Sequence, residues 1–190
     1  MYDDTGNRIQ EIDPLGNIRA TQWLVQRALP TVITEPNGAA TRFYYDEHFG
    51  LGRIVDPMGQ TTLLHRDAFG QVIEEVDAGG NTRRQAFNDA GQILTETDCS
   101  GRTTRYRYHP RGWLKVVETA DGEETRYQYD AAGRPLQLDR AEGWQESIGW
   151  NTRGLPEFHI TPDGKRQEFE YDATGRLVAS RNALGEAIRR

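Results

Sequence analysis

The sequence predicts an all-β chain: tandem antiparallel β-hairpin repeats of about 21 residues, laid edge to edge in a curved or spiralling sheet. Three observations carry that expectation: a ruler of glycines, paired tight-turn motifs, and a period-two alternation between them. Gly70, Gly91, Gly112, Gly133, Gly154 and Gly175 stand 21 residues apart, and Gly38, Gly59, Gly80, Gly101, Gly122, Gly143, Gly164 and Gly185 keep the same step. A fixed period near twenty residues means stacked units that cannot bury an apolar face alone. Residues 1–190 therefore read as one array with no separate second domain, and function has to be argued from architecture, not from a pocket.

Each unit holds two turns about ten residues apart. Asp13-Pro14-Leu15-Gly16, Glu35-Pro36-Asn37-Gly38, Asp56-Pro57-Met58-Gly59 and Thr161-Pro162-Asp163-Gly164 show the turn chemistry. The first side chain accepts hydrogen bonds from the backbone ahead of it, Pro presets φ, and Gly takes the positive φ that closes the turn. Two such turns per repeat leave segments of six or seven residues, which suit successive antiparallel strands and are too short for an ordinary helix.

The strand leading into the second turn alternates cleanly. Thr104, Tyr106 and Tyr108, then Thr125, Tyr127 and Tyr129, Glu146, Ile148 and Trp150, and Gln167, Phe169 and Tyr171 fall on one face. Arg105 and Arg107, Arg126 and Gln128, Ser147 and Gly149, and Glu168 and Glu170 fall on the other. This predicts a ladder of rings along one face of a half-buried sheet, each buried ring contributing about 1.5–3 kcal/mol. The returning strand is less regular, with Val72-Ile73, Ile93-Leu94, Val116-Val117 and Leu177-Val178 side by side; a bulge or burial on both faces would explain it. The unit near 17–38 is degenerate. Trp23-Leu24-Val25-Gln26-Arg27-Ala28 replaces its turn motif, and Gly16 and Gly38 are 22 apart.

Composition narrows the function classes. A net charge of −6 and a pI near 5.3 argue against nucleic acid as a partner, because phosphate binding needs clustered Lys and Arg. No apolar run approaches a membrane span, so no membrane insertion by these residues is expected, and the first residues lack the plan of a signal peptide. Cys99, the single cysteine, sits in the turn Asp98-Cys99-Ser100-Gly101 and reads as a turn residue. His48, His65, His109 and His159 occupy different repeat positions, so no metal site is expected, and the Asp-x-x-Gly turns carry too few carboxylates each for a calcium loop. Glu74-Glu75 and Glu123-Glu124 point to opposite faces of their strands, and Glu168 with Glu170 shares the polar face, so none reads as a glycosidase pair. No enzyme and no cofactor are expected.

The repeat signature is an aromatic residue followed by Asp-x-x-Gly. It stands as Tyr2-Asp3-Asp4-Thr5-Gly6, Tyr45-Asp46-Glu47-His48-Phe49-Gly50, Tyr129-Asp130-Ala131-Ala132-Gly133 and Tyr171-Asp172-Ala173-Thr174-Gly175, with Gly70, Gly91, Gly112 and Gly154 marking looser copies. In this the chain resembles the RHS/YD repeat family. The resemblance implies an open strip of a shell that encapsulates a C-terminal toxin or other cargo, as in bacterial polymorphic toxins delivered by type VI secretion or displayed at the cell surface. Its partners would be further repeats and the enclosed domain of the same polypeptide, together with self-association through exposed edge strands. It implies secretion or surface display of the full-length protein. The alternative is a cell-adhesion module like the teneurins, or a carbohydrate-binding module in which Trp144 or Trp150 stacks on sugars. The family's aspartyl autoprotease-like releasing segment has no counterpart after Gly185.

Overall fold

The computed structural model describes residues 1–25 and 27–189; Gln26, inside the degenerate stretch, and Arg190 lie outside the described residues. The chain forms two compact units, residues 1–102 and 103–190, built the same way. In the first, nine strands follow one another: β1 (Gln10–Ile12), β2 (Ile18–Trp23), β3 (Pro30–Thr34), β4 (Ala40–Tyr45), β5 (Leu51–Val55), β6 (Thr61–Arg66), β7 (Val72–Val76), β8 (Thr82–Phe87) and β9 (Ile93–Thr97). The second runs β10 (Thr103–Tyr108), β11 (Leu114–Glu118), β12 (Glu124–Tyr129), β13 (Pro135–Asp139), β14 (Gln145–Trp150), β15 (Pro156–Ile160), β16 (Arg166–Tyr171), β17 (Leu177–Arg181) and β18 (Ala187–Arg189). Within each unit every strand pairs antiparallel with the one before it, so the predicted hairpin meander is what forms.

The corners set the strand lengths. Asp67 is representative: its N–H donates to the Gln71 carbonyl at 3.0 Å, and its own carbonyl accepts from Gly70 N–H at 3.1 Å. Its Oδ1 also accepts the N–H groups of Phe69 and Gln71, at 2.9 and 3.0 Å. Gly70 closes the corner at φ +82°, the left-handed region that side chains resist. Strands into the signature corner are six residues long and the returning strands five, except at the short first and last strands.

That inequality resolves the irregular returning strands. Register shifts recur at Tyr45, Arg66, Phe87, Tyr108, Tyr129, Trp150 and Tyr171. Tyr129 pairs with Pro135 and Gln128 with Gln137, so Leu136 is the extra residue of a bulge. The opposite hairpin ends have no shift. One signature-side bulge per repeat, and not burial on both faces, is why two apolar residues stand together there.

The sheet is one layer thick. Val116, 5 % exposed, is the buried apolar residue among those described, and no side chain is fully buried. The predicted ladder exists as a half-buried row: Tyr106, Tyr108, Tyr127 and Tyr129 alternate with exposed Arg105, Arg107, Arg126 and Gln128. Half-burial lowers the contribution expected of each ring to about half of the fully buried figure. Val116 lies opposite Arg107 and Arg126, on the arginine face, where long aliphatic stems can cover it.

Two glycine substitutions separate the constraints. A Cβ at Gly149 would fall inside the Phe158 ring directly across the β14–β15 pair, whereas one at Gly122 would meet open space at φ +82°. Gly149→Ala is expected to destabilise by about 2–3 kcal/mol through overpacking and Gly122→Ala by about 1 kcal/mol through backbone strain. Urea unfolding midpoints of the two variants against the parent check the order.

Candidate functional surface: the signature rim

Each unit has two rims of corners. One follows the signature aromatics and the other carries the Asp-Pro-x-Gly type turns. The signature rim holds Asp3, Asp46, Asp130 and Asp172 as first corner residues, each using Oδ1 to accept two backbone N–H groups at 2.8–3.0 Å. Gly6, Gly70, Gly91, Gly112, Gly133, Gly154 and Gly175 close corners there at positive φ. Asn88 and Asn151 do the work of Asp with an amide oxygen. His109 does it with Nδ1, which accepts Arg111 N–H at 3.3 Å. At Asp46 the left-handed position falls on Phe49, φ 63°, one residue before Gly50. Arg27 lies over that ring at 4.2 Å. In the degenerate unit the corner is wider: Leu24 N–H reaches Leu29 O instead of a residue four ahead, which accounts for the 22-residue step.

At several repeats the aromatic before the corner is a clamp to the neighbouring repeat. Trp23 Nε1 donates to Arg8 O at 3.1 Å, the Tyr45 hydroxyl to Pro30 O at 2.8 Å, and Trp150 Nε1 to Pro135 O at 2.7 Å. In every case the acceptor lies fifteen residues back, at the start of the previous returning strand or, for Arg8, two residues before it. Arg66 occupies the same position and does the same, donating from Nε to Leu51 O at 3.2 Å and from NH1 to Gly70 O at 2.7 Å. Sequence reasoning passed over Arg66 because it looked for rings. The signal was its place, 21 residues after Tyr45 and 21 before Phe87. Burial raises the hydroxyl pKa of Tyr45, Tyr108 and Tyr129.

A second tie links corner to corner along the same rim. Arg111 NH1 donates to Ala131 O at 2.9 Å, and Arg153 NH1 to Asp172 O and Ala173 O at 2.9 and 3.2 Å. Trp113 covers Gly133, where an added Cβ would meet the indole at 2.8 Å; it stacks on His109 and meets Tyr129 at a 45° tilt, with centroids 5.5 Å from each. Tyr2 pairs in an isolated bridge with Arg8 and is exposed, and Tyr171 is half-buried at the end of β16.

The remaining candidates are occupied structurally. Trp150 donates to a backbone carbonyl and has Arg134 at 5.4 Å from its ring, and Trp144 has Arg140 over one face at 4.2 Å. Glu74 pairs with Arg84, Glu124 with Arg107 and Arg126, Glu168 with Arg166, and Glu170 with Arg181. Exposed pairs of this kind contribute about 0–1 kcal/mol each. The four histidines stay apart, and no group of three metal-ligating side chains converges among the described residues. Cys99 is exposed at a corner of the other rim. No described helix is long and apolar enough to cross a membrane.

A surface made of corners, clamps and a one-layer sheet defines a class: a β-hairpin repeat wall whose residues hold neighbours together. The RHS Repeat family matches residues 87–123 and 108–143, and these are RHS repeats; the same corner-and-clamp plan continues on both sides of them. Solved structures show the same fold. The Photorhabdus luminescens Tc holotoxin pore carrying TccC3-D651A matches over 87 % of this chain with TM-score 0.72 at 15 % identity. TcdB2-TccC3 without its hypervariable C-terminal region matches over 91 % with TM-score 0.75 at 14 % identity, and TcdB2-TccC3-Cdc42 over 95 % with 0.66 at 15 %. The chain spans only 11–12 % of those chains. No curated protein matches the sequence.

Two predictions follow from the rim. Tyr45→Phe removes one hydroxyl donor and is expected to cost about 0.5–1.5 kcal/mol, with no change in far-ultraviolet circular dichroism; a thermal melt reads it. The second concerns acid. Backbone donation from Arg134 and Arg176 holds Asp130 and Asp172 below the usual carboxylate range, and the Lys165 ammonium with Thr161 brings Asp163 down to about 2. A folded pKa below the unfolded 3.8 adds stability that is complete above that value and is lost as pH falls toward the folded pKa. Melting temperature should therefore hold steady down to about pH 5 and fall between about pH 4 and pH 2. The double variant Asp130→Asn, Asp172→Asn, which keeps the Oδ1 acceptors, should fall less steeply.

Proposed function

We propose that this chain is a non-catalytic length of RHS/YD-repeat wall which, in a longer polypeptide, encapsulates a C-terminal toxin or other cargo. Residues 1–190 serve in it as one array. The observation that carries this reading is a single-layer sheet closed at both rims by backbone hydrogen bonds and tied from repeat to repeat, with no side chain fully buried among the described residues. Such a sheet invests its hydrogen bonds in continuity and its thin apolar face in lateral cohesion, which is what a barrier requires. The fold shared with TcdB2-TccC3, solved with its hypervariable C-terminal region removed, supports a toxin context. Its partners are then the further repeats and the enclosed domain of its own polypeptide, and its place of action is outside the producing cell, reached through a specialised export system.

The wall acts by exclusion. A protease needs an extended stretch of substrate backbone, and a continuous ladder leaves no opening through which one can pass. In the full-length protein the C-terminal domain should survive added protease for as long as the repeats remain folded. Deleting one whole repeat, residues 113–133, which keeps the register but shortens the wall, should shorten its survival, followed by gel electrophoresis over time. Equal digestion of the domain with and without the repeats would exclude containment.

A further inference from the structure

The signature rim of the first unit contains one junction built unlike its neighbours. Between successive corners of this rim, adjacent repeats are open-ended, because their connecting hairpin lies at the far rim. The other junctions of this rim in the first unit, and the Trp150 junction of the second, are tied by a long donor. Arg8 O takes Trp23, Pro30 O takes Tyr45, Leu51 O takes Arg66 and Pro135 O takes Trp150. Arginine bridges secure the junctions of Arg111 with Ala131 and of Arg153 with Ala173. The junction between the 67–71 and 88–92 corners has Phe87 in the clamp position, fifteen residues after Val72. A phenyl ring has no donor to give the Val72 carbonyl. What spans the gap is Gln71 Nε2 to Gly91 O at 3.4 Å, long for a hydrogen bond.

The strands that meet there also set two opposite-charge pairs side by side. Glu74 faces Arg84 and Glu75 faces Arg83 in successive register pairs of β7 and β8. The corresponding rows are Ile54 with Thr62 in β5–β6 and Val117 with Thr125 in β11–β12. Glu74 and Arg84 pair at 2.7 Å on one face, while Arg83 on the other pairs across β8–β9 with Glu96. On the ring-bearing face, Glu75, Arg83, Gln85 and Glu96 interrupt a row that is Phe43, Ile54 and Leu64 before it. Cross-strand cohesion at β7–β8 thus leans on opposite charges, which salt screens, where the matching row of β5–β6 is Ile54 with Thr62 and that of β11–β12 is Val117 with Thr125.

We infer that the β7–β8 junction, at its signature-rim end, is the built-in opening point of this repeat array: a seam that parts before the junctions on either side. It is a property of these residues and holds whether or not the wall encloses a cargo. Missing one clamp bond at a strand end lowers the free energy of local opening without touching the rest of the ladder, so the seam opens sub-globally.

Hydrogen–deuterium exchange of the protein, read by mass spectrometry, tests this. Residues 72–74 and 84–87 should exchange faster than their clamped equivalents 51–53 with 63–66 and 30–32 with 42–45, and 1 M sodium chloride should widen the difference. Phe87→Tyr places a hydroxyl at the clamp position and should slow exchange at the seam by roughly 2- to 10-fold, the factor one net hydrogen bond gives. Phe87→Leu, which adds no donor, should leave the seam at least as fast as in the parent. Exchange at 72–74 and 84–87 no faster than at the equivalent segments, or unchanged by Phe87→Tyr, would overturn the proposal.

Discussion

The corner is the constraint on which the structure depends. A one-layer sheet has no opposing layer to hold its strands in register, so the register must be set where the chain reverses. There a carboxylate or amide oxygen gathers two N–H groups and a glycine at φ near +80° completes the return. Because the same backbone bonds recur at Asp3, Asp67, Asp130 and Asp172, each hairpin is built by its own residues. The bulge that accompanies every signature corner adds one residue to the returning strand and restores the face alternation beyond it.

Lateral cohesion is then distributed among weak terms. Half-buried rings, exposed arginine–glutamate pairs and single carbonyl bonds each contribute modestly, and none is surrounded by enough protein to become large. The clamp position shows how this tolerates change. Trp, Tyr and Arg all place a donor at the same carbonyl distance from the strand, so the requirement is reach and an N–H or O–H, not aromaticity. The variation between repeats is therefore a variation in how each junction is tied, and at Phe87 the clamp position holds no donor.

Much of the fold was legible in the sequence because its rules are local. The turn chemistry of Asp56-Pro57-Met58-Gly59 and the alternation Thr125, Tyr127, Tyr129 involve residues a few positions apart, and each repeats the other's evidence. The signature residues likewise stood out by spacing. Arg66 did not, because its role depends on a carbonyl fifteen residues away. Phe49 also carries no local signal: Gly50 follows one residue later than the glycine of other copies, and the hydrogen bond from Phe49 N–H to Asp46 O keeps the corner in step.

By itself the sequence determined the repeat length, the positions of the reversals, the strand alternation and the β-hairpin class, since sterics at glycine and hydrogen bonding at Asx act within one turn. The tertiary structure decided which partner each side chain meets in the next repeat, that the ring ladder is only half covered, and that paired apolar residues mark bulges. Those depend on how neighbouring strands align in space, and a periodic sequence states the period of that alignment without stating its contacts.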